Sequence, residues 1–199
     1  MNIVIIKYNA GNIESVNNAL NRLGVNAEIT ADPEQIKNAD KVIFPGVGEA
    51  STTMKYLREH QLDQLIVSLK QPVLGICLGL QLMCSHSEEG DTRCLGIFDE
   101  KVKRFLPKKG EEFVTKVPHM GWNSLTNLKS SLFSTKIENQ YVYFVHSYYA
   151  GLGEHTIATS NYIVPFSAAL QKDNFYATQF HPEKSGTIGA EILKNFLNL

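Results

Sequence analysis

The feature that most constrains this chain is a cysteine between two glycines, Gly75-Ile76-Cys77-Leu78-Gly79, where an apolar run meets a helical pattern. A strand, a sharp turn and a helix with a nucleophile at the turn form a nucleophile elbow, here with cysteine in place of the usual serine. The nucleophile adopts a strained backbone conformation, so its neighbours must be small, and glycine on both sides meets that need. The following helix directs its free N–H groups toward the sulfur. The alternative, more common for an arbitrary cysteine, is a buried thiol in a glycine-rich turn.

The composition is ordinary for a globular protein and predicts one domain, residues 1–199. The chain is 43% hydrophobic and 20% charged, with 19 Lys and Arg against 20 Asp and Glu. Because no block of like charge stands out, nucleic acid and membrane surfaces are poor partner hypotheses. The apolar stretch after Met1 is too short for a signal peptide or a membrane span. Three cysteines without Cys-x-x-Cys spacing argue against a disulfide scaffold or a zinc site, so the cytoplasm is the expected compartment.

Short apolar runs alternate with amphipathic stretches through the first half of the chain. This alternation predicts an α/β fold with a mostly parallel central sheet and helices on both faces. Sites in such sheets gather beyond the carboxyl ends of the strands. Three glycine-containing junctions fall there, at Ala10-Gly11-Asn12, 45–48 and 75–79. The predicted strands are 2–6, 27–30, 41–44 and 73–76, and the predicted helices are 12–23, 50–59 and 62–69.

The second half of the chain is richer in β-forming residues. Runs at 141–145, 156–159, 168–171 and 175–180 are separated by turn residues, which predicts antiparallel strands added to the sheet. A closing helix is predicted at about 188–197, where apolar residues share one face.

A second motif, His181-Pro182-Glu183, follows the last predicted strand. Proline disfavours helical conformation in the residue before it, so His181 is expected to be extended. In an extended segment residues i and i+2 point to the same side, so the Glu183 carboxylate could hold the imidazole in one tautomer. With Cys77 as nucleophile and His181 as general base and acid, the three residues would form a triad. Taken alone, His181 is more often a surface histidine and Glu183 a solvated turn residue.

The elbow together with His181-Pro182-Glu183 resembles the class I (triad) glutamine amidotransferases. Further segments resemble one branch of that family, the glutaminase subunits of imidazole glycerol phosphate synthase from histidine biosynthesis. The segments that carry this finer resemblance are 45–48, 87–89, 117–123, 143–148 and 171–176. The resemblance runs from Asn2 to the C-terminus without a large insertion.

The resemblance implies hydrolysis of L-glutamine to glutamate and ammonia through a γ-glutamyl thioester on Cys77, without a cofactor or a metal ion. It implies an oxyanion hole formed by the backbone N–H of Leu78 and by the loop that contains Gly46 and Val47. The substrate-binding residues that it implies are Gln81, Glu89, Ser147 and Tyr148. Without the resemblance, Gln81 and Glu89 would be interpreted as polar residues on a helix face.

The resemblance also implies a heterodimer in which a (β/α)8-barrel cyclase subunit receives the ammonia through a channel. That partner would make imidazole glycerol phosphate and an aminoimidazole carboxamide ribotide. Asn12, Trp122 and Lys184 are implied near the interface, although a lone tryptophan is as often core packing. Two alternatives stay open: a glutaminase that feeds a different synthase, for example one that modifies a nucleotide-linked sugar, and a non-catalytic regulatory subunit that only binds glutamine. The intact Cys77, His181 and Glu183 argue against the second.

Overall fold

The computed structural model describes residues 1–8, 11–107, 110 and 115–199, so Ala10 of the first glycine junction lies outside the described residues. The α-helices are α1 (Ile13–Arg22), α2 (Pro33–Lys37), α3 (Ala50–Glu59), α4 (Leu62–Ser68), α5 (Leu78–Met83) and α6 (Gly186–Leu197). The strands are β1 (Ile3–Ile6), β2 (Ala27–Thr30), β3 (Lys41–Gly46), β4 (Val73–Cys77), β5 (His86–Ser87), β6 (Thr92–Arg93), β7 (Lys101–Arg104), β8 (His119–Ser124), β9 (Tyr141–His146), β10 (Tyr148–Ala150), β11 (Thr156–Tyr162), β12 (Val164–Lys172) and β13 (Phe175–Thr178). Short 3-10 turns occur at Glu89–Asp91, Thr135–Ile137 and Pro182–Lys184.

A seven-stranded sheet with the order β11-β12-β13-β4-β3-β1-β2 forms the centre of the molecule. The strands β1 to β4 and β13 run parallel to one another, and β11 and β12 are antiparallel additions at one side. In this register Gly46 pairs with Cys77, and Ile76 pairs with Thr178. The carboxyl ends of β3, β4 and β13 therefore meet at one edge of the sheet, where a site is expected.

Alternate residues of β1 show that both faces of the sheet are buried. Val4 and Ile6 belong to an apolar cluster with residues of α3, α4 and α5, whereas Ile3 and Ile5 belong to a second cluster with residues of α1 and α6. A strand that is buried on both faces has a nearly continuous apolar sequence. The strands of the central sheet are therefore recognisable as apolar runs, although polar and apolar residues do not alternate along them. The predicted mostly parallel α/β fold is confirmed.

Two expectations for the C-terminal half are wrong in detail. The strand at 141–145 does not join the central sheet, because β9 pairs with β8 in a separate antiparallel hairpin. The strand at 175–180 ends at Thr178 and is parallel to β4, although it is antiparallel to β12. A tight turn at Asp173 reverses the chain after β12, and that reversal restores the direction of the parallel strands.

Several short elements lie outside the predicted pattern. The helix α2 starts with Pro33 and is capped by Asp32, whose side chain accepts from the N–H groups of Glu34 and Gln35, but it has only five residues. A second sheet with the order β10-β7-β5-β6 consists of strands too short for an apolar run. Among the described helices, none has the length and hydropathy needed to cross a membrane.

Candidate active site

Cys77 occupies the turn between β4 and α5 with the geometry of a nucleophile elbow. Its backbone has φ 55° and ψ −105°, a strained conformation for a residue with a side chain. Gly79 lies so close to β3 that a Cβ atom there would be 2.1 Å from the carbonyl oxygen of Phe44. The glycine therefore permits the close approach of α5 to the sheet, and this approach sets the tight turn at Cys77.

The sulfur of Cys77 is nearly buried, with the residue 7% exposed. Its Sγ atom lies 3.9 Å from the carbonyl oxygen of Val145 and 3.7 Å from Nε2 of Gln179. Gln179 is fully buried and was not predicted as a site residue. Its position two residues before His181, at the end of a strand, was the signal in the sequence, since residues i and i+2 point to the same side.

His181 and Glu183 form the second half of the site. His181 is extended, with φ −98° and ψ 96°, as the following proline requires. Its Nδ1 atom lies 2.7 Å from Oε1 of Glu183, and both side chains are fully buried. The expected contact between the i and i+2 side chains is therefore present.

Asn12 completes this group from the other end of the chain. Its Nδ2 atom donates to Oε1 of Glu183 at 2.6 Å, so that one carboxylate oxygen accepts from both Asn12 and His181. Nδ2 is also 3.4 Å from Nδ1 of His181. When Nδ1 carries the proton that faces the carboxylate, this last contact joins two donors and is not a hydrogen bond. Asn12 thus orients the carboxylate.

The charges around His181 favour the imidazolium form. Burial by itself lowers the pKa of His181, but the negative charge of Cys77 and the hydrogen bond and charge of Glu183 outweigh it and raise the pKa to about 10. Nε2 of His181 has no partner at ordinary hydrogen-bond distance among the described residues, although the nearby Cys77 sulfur contributes to the raised pKa of His181 both by its charge and as an acceptor. A charged imidazole N–H is therefore available at the cavity that contains the sulfur.

A cavity of about 310 Å³ opens over the sulfur, at the lower end of the range for small-molecule sites, roughly 300–1,000 Å³. Its lining contains eight of the sequence-predicted site residues: Val47, Cys77, Leu78, Gln81, Glu89, Ser147, Tyr148 and His181. The remaining lining residues are Gly48, Pro118, Val145 and His146. Gly46 and Glu183 lie behind this lining, Gly46 beside Cys77 in the sheet and Glu183 beside His181.

Gln81 has a different set of contacts from the one expected of a substrate ligand. Its Nε2 atom donates to the carbonyl oxygen of Tyr148 at 2.9 Å and to Oε1 of Gln179 at 3.1 Å. Since both amide protons have partners within the protein, only the side-chain oxygen remains to contact a ligand. Gln81 therefore also organises the cavity wall.

Glu89 presents a carboxylate to the same cavity. Its Oε2 atom accepts from the backbone N–H of Ala50, at the start of α3, at 2.8 Å. Burial raises the pKa of Glu89, the N–H of Ala50 opposes that rise, and the charge of Glu49 adds to it. Among the described residues no three His, Cys, Asp or Glu side chains are grouped as metal ligands.

The residues expected at a partner interface lie in two different environments. Trp122 lies on β8 with 54% of its surface exposed, and its neighbour Met120 is 64% exposed. Packing in the core therefore does not explain the tryptophan, whose ring contacts only Tyr143 edge-on among the described aromatic residues. Lys184 is exposed directly after Glu183, whereas Asn12 contacts the triad itself.

The sequence of this chain is similar to those of known amidotransferases over almost its whole length. A sequence model of the family described as glutamine amidotransferase class-I matches residues 4–199. The imidazole glycerol phosphate synthase subunit HisH of Bacteroides fragilis (strain YCH46) is 64% identical over 199 residues, which cover 100% of both chains. The chain is a class-I glutamine amidotransferase of the HisH family. The HisH subunit of Haemophilus influenzae (strain ATCC 51907 / DSM 11121 / KW20 / Rd) is 50% identical over 99% of this amidotransferase and 97% of its own length.

Solved structures share the fold of this amidotransferase at low sequence identity. A crystal structure of a glutamine amidotransferase has a TM-score of 0.73 at 19% identity, covering 98% of this chain and 97% of its own. Another, from Thermotoga maritima, has a TM-score of 0.60 at 19% identity, covering 100% of this chain and 81% of its own. These likenesses support the fold.

Proposed function

We propose that the chain hydrolyses the γ-amide of L-glutamine, with Cys77 as nucleophile, His181 as the proton-transfer residue and Glu183 as the residue that orients His181. The observation that carries this proposal is one cavity of about 310 Å³ that contains both Cys77 and His181. Glu183 lies behind the imidazole at 2.7 Å. Membership of the class-I family supports the same assignment.

In the first step the Cys77 sulfur attacks the γ-carbonyl carbon, and the carbonyl oxygen becomes an oxyanion. Collapse of this intermediate breaks the C–N bond as the Nε2–H of His181 protonates the leaving nitrogen. The products are ammonia, a γ-glutamyl thioester on Cys77 and a neutral imidazole. The high pKa of His181 suits this step, because the group arrives charged and has a proton to give.

In the second step the neutral imidazole removes a proton from water, and the resulting hydroxide attacks the thioester carbon. The C–S bond breaks, and the product leaves with a γ-carboxyl group that releases its proton to solvent to become glutamate. The thiolate and the imidazolium are thereby restored. Both steps pass through an oxyanion that needs aimed N–H donors. The backbone N–H of Leu78, in the first turn of α5, is one proposed donor, and the loop at Gly46 and Val47 supplies the other.

Substrate recognition is assigned to the same cavity. The Glu89 carboxylate would bind the ammonium group of glutamine, because a charged donor and a charged acceptor form the stronger kind of hydrogen bond. The backbone at Ser147 and Tyr148, with the side-chain oxygen of Gln81, would complete the binding of the amino-acid end.

We propose that the ammonia passes to a (β/α)8-barrel cyclase subunit in a heterodimer. The similar proteins of Bacteroides fragilis and Haemophilus influenzae are each named as a subunit of imidazole glycerol phosphate synthase, which supports a synthase partner. The exposed side chains of Trp122 and Lys184, together with Asn12 beside the triad, mark the proposed contact face.

The chain has the features of a single domain from a reducing compartment. Both apolar clusters pack against the same seven-stranded sheet, which supports one domain over residues 1–199. The cysteines Cys77, Cys84 and Cys94 are all free, which fits a reducing compartment. The cytoplasm stays a prediction.

The test uses Cys77→Ala in the complex with the cyclase and its ribotide substrate. Synthesis from glutamine should be lost, whereas synthesis from added ammonium salts should persist, because ammonia bypasses the thiol chemistry. Cys94→Ala is the matched control, since Cys94 is also 7% exposed but lines a different cavity. Glutaminase activity that survives in Cys77→Ala would show that another nucleophile acts.

A further inference from the structure

Two buried histidines that the proposed mechanism does not use lie directly beside the cavity. His146, at the end of β9, lines the cavity, and its Nδ1 atom is 2.7 Å from the carbonyl oxygen of Tyr148. Its Nε2 atom is 3.0 Å from Nδ1 of His119, the first residue of β8. The exposed fractions are 5% for His146 and 4% for His119, so both rings are shielded from water.

The hydrogen-bond partners fix which nitrogen carries each proton. A carbonyl oxygen only accepts, so Nδ1 of His146 donates to Tyr148. Burial lowers the pKa of His146 to about 3 and that of His119 to about 4, so both rings are neutral at neutral pH. The Nε2 atom of neutral His146 is then an acceptor, and Nδ1 of His119 must be the donor to it.

The contact of His119 with Asn123, at the outer end of this series of hydrogen bonds, agrees with these proton positions. Nε2 of His119 is 3.4 Å from Nδ2 of Asn123. The Asn123 amide is itself oriented by backbone groups, because its Nδ2 donates to the carbonyl oxygen of Asn161 at 2.9 Å and its Oδ1 accepts from the N–H of Ser124 at 2.8 Å. The amide therefore presents a donor to His119, which agrees with the proton positions derived from Tyr148.

Aromatic rings hold His119 from both sides. The ring of Tyr162 stacks on it at 4.0 Å between centroids and 13° between planes, and the ring of Phe144 stacks at 5.0 Å and 24°. This packing restricts rotation of the imidazole and excludes water that could compete for its nitrogens.

At its inner end the series of hydrogen bonds reaches the side chains around the nucleophile. The Tyr148 carbonyl accepts from both His146 and Gln81, which uses its two lone pairs. Gln81 continues to Gln179, and Nε2 of Gln179 faces the sulfur of Cys77. A continuous series of hydrogen bonds thus extends from Asn123 on β8 to the cavity.

We infer that His119 and His146 are positioning residues, which act as a neutral, directional pair to hold the Tyr148 carbonyl and Gln81 in the geometry that binds glutamine. The inference rests on the proposed glutaminase function and adds two residues to its binding machinery. The hydrogen bonds of the pair go to Tyr148 and Asn123 and not to Cys77 or His181. Its loss should therefore weaken substrate binding more than it slows the bond-breaking steps.

The test compares His119→Leu with His119→Asn in the full chain with its cyclase partner. Leucine fills the space without a donor, whereas the Nδ2 atom of asparagine replaces the Nδ1 donor. Leaving the Nε2 acceptor of His146 unpaired should raise the KM for glutamine about tenfold, with kcat changed by less than about threefold. His119→Asn should restore the KM to within about twofold to threefold of the native value. A native KM in His119→Leu, or equal defects in both variants, would overturn the inference.

Nitrogen NMR of the imidazoles provides a readout that is independent of activity. Both rings should be neutral with the proton on Nδ1 at neutral pH, and an imidazolium or an Nε2–H form of His146 would overturn the inference. If His119→Leu does not fold, Asn123→Ala is the second variant, at a partly exposed position. It removes the Nδ2 donor that faces Nε2 of His119, so the nitrogen signal of His119 should change and the KM for glutamine should rise. A native KM and an unchanged His119 nitrogen signal in Asn123→Ala would overturn the inference. Persistent activity in Cys77→Ala would instead refute the proposed function while the NMR result still decides the tautomers.

Discussion

Replacement of Glu183 by glutamine should lower the glutaminase kcat about tenfold while the triad keeps its geometry. Oε1 of Glu183 accepts from both His181 and Asn12, whereas Oε2 makes no hydrogen bond with a described residue. A glutamine with its oxygen in the Oε1 position still accepts both bonds, so the imidazole keeps its tautomer. The loss is the charge, and a charged partner adds about 1–1.5 kcal/mol to a hydrogen bond, which corresponds to about tenfold in rate.

The pH dependence of the same variant tests the electrostatic part of the argument. His181 has a raised pKa of about 10, so the protonated form that donates to the leaving nitrogen is present throughout neutral pH. In the native protein, activity should fall only as the pH approaches that value. Without the carboxylate charge the pKa of His181 is lower, so the alkaline fall in activity moves to lower pH.

Glutamate release followed from about pH 6 to about pH 10 is the assay, with Glu183→Leu as the matched control. Leucine leaves the buried donors of His181 and Asn12 unpaired, so its kcat should be at least about tenfold below that of Glu183→Gln. The reasoning is refuted by an unchanged alkaline limb in Glu183→Gln, or by a leucine variant as active as the glutamine variant.

Two further changes test the cavity and its support. Glu89→Gln should raise the KM for glutamine about tenfold to a hundredfold. In the native protein the KM should rise toward acid pH, where Glu89 with its raised pKa becomes protonated, and this rise should disappear in the variant. The control is Glu88→Gln at an exposed position, and equal KM values for the Glu89→Gln and native proteins in steady-state assays would contradict the assignment. Gly189→Ala should lower the free energy of unfolding by about 1–3 kcal/mol and reduce kcat, because a Cβ there lies 1.9 Å from the carbonyl oxygen of Pro182. Thermal denaturation measures this loss, with Thr187→Ala at an exposed position as the control. Equal stabilities of the Gly189→Ala and Thr187→Ala variants would rule out the steric argument.

Most of the central sheet was predictable because its strands are short apolar runs bounded by glycine, proline or polar residues. Such runs identify a strand but not its neighbours, and this explains the wrong placement of the run at 141–145. Its true partner, β8, was missed because His119-Met120-Gly121-Trp122-Asn123 contains no apolar run. Exposed Met120 and Trp122 alternate with more buried residues on that strand, which is the pattern of an edge hairpin.

The site was predictable where its chemistry is local in sequence. Gly75 to Gly79 define the elbow, and His181 and Glu183 are two residues apart. The contact between Asn12 and Glu183 joins residues 171 positions apart, and the contact between Gln81 and Gln179 joins residues 98 positions apart. No spacing rule reports such contacts, since they depend on the order in which strands are placed in the sheet.

The placement of β4 between β3 and β13 has a consequence for synthesis of the chain on the ribosome. The strands β1 to β4 are made early, but β13 emerges roughly a hundred residues after β4, so one edge of an apolar strand waits unpaired during translation. An unpaired apolar edge promotes association between chains, and chaperones bind such surfaces. The nucleophile is on that waiting strand, while its base follows β13. A nascent chain that has β4 but not yet β13 therefore contains the Cys77 thiol without His181 and Glu183, the residues proposed to make it a catalyst.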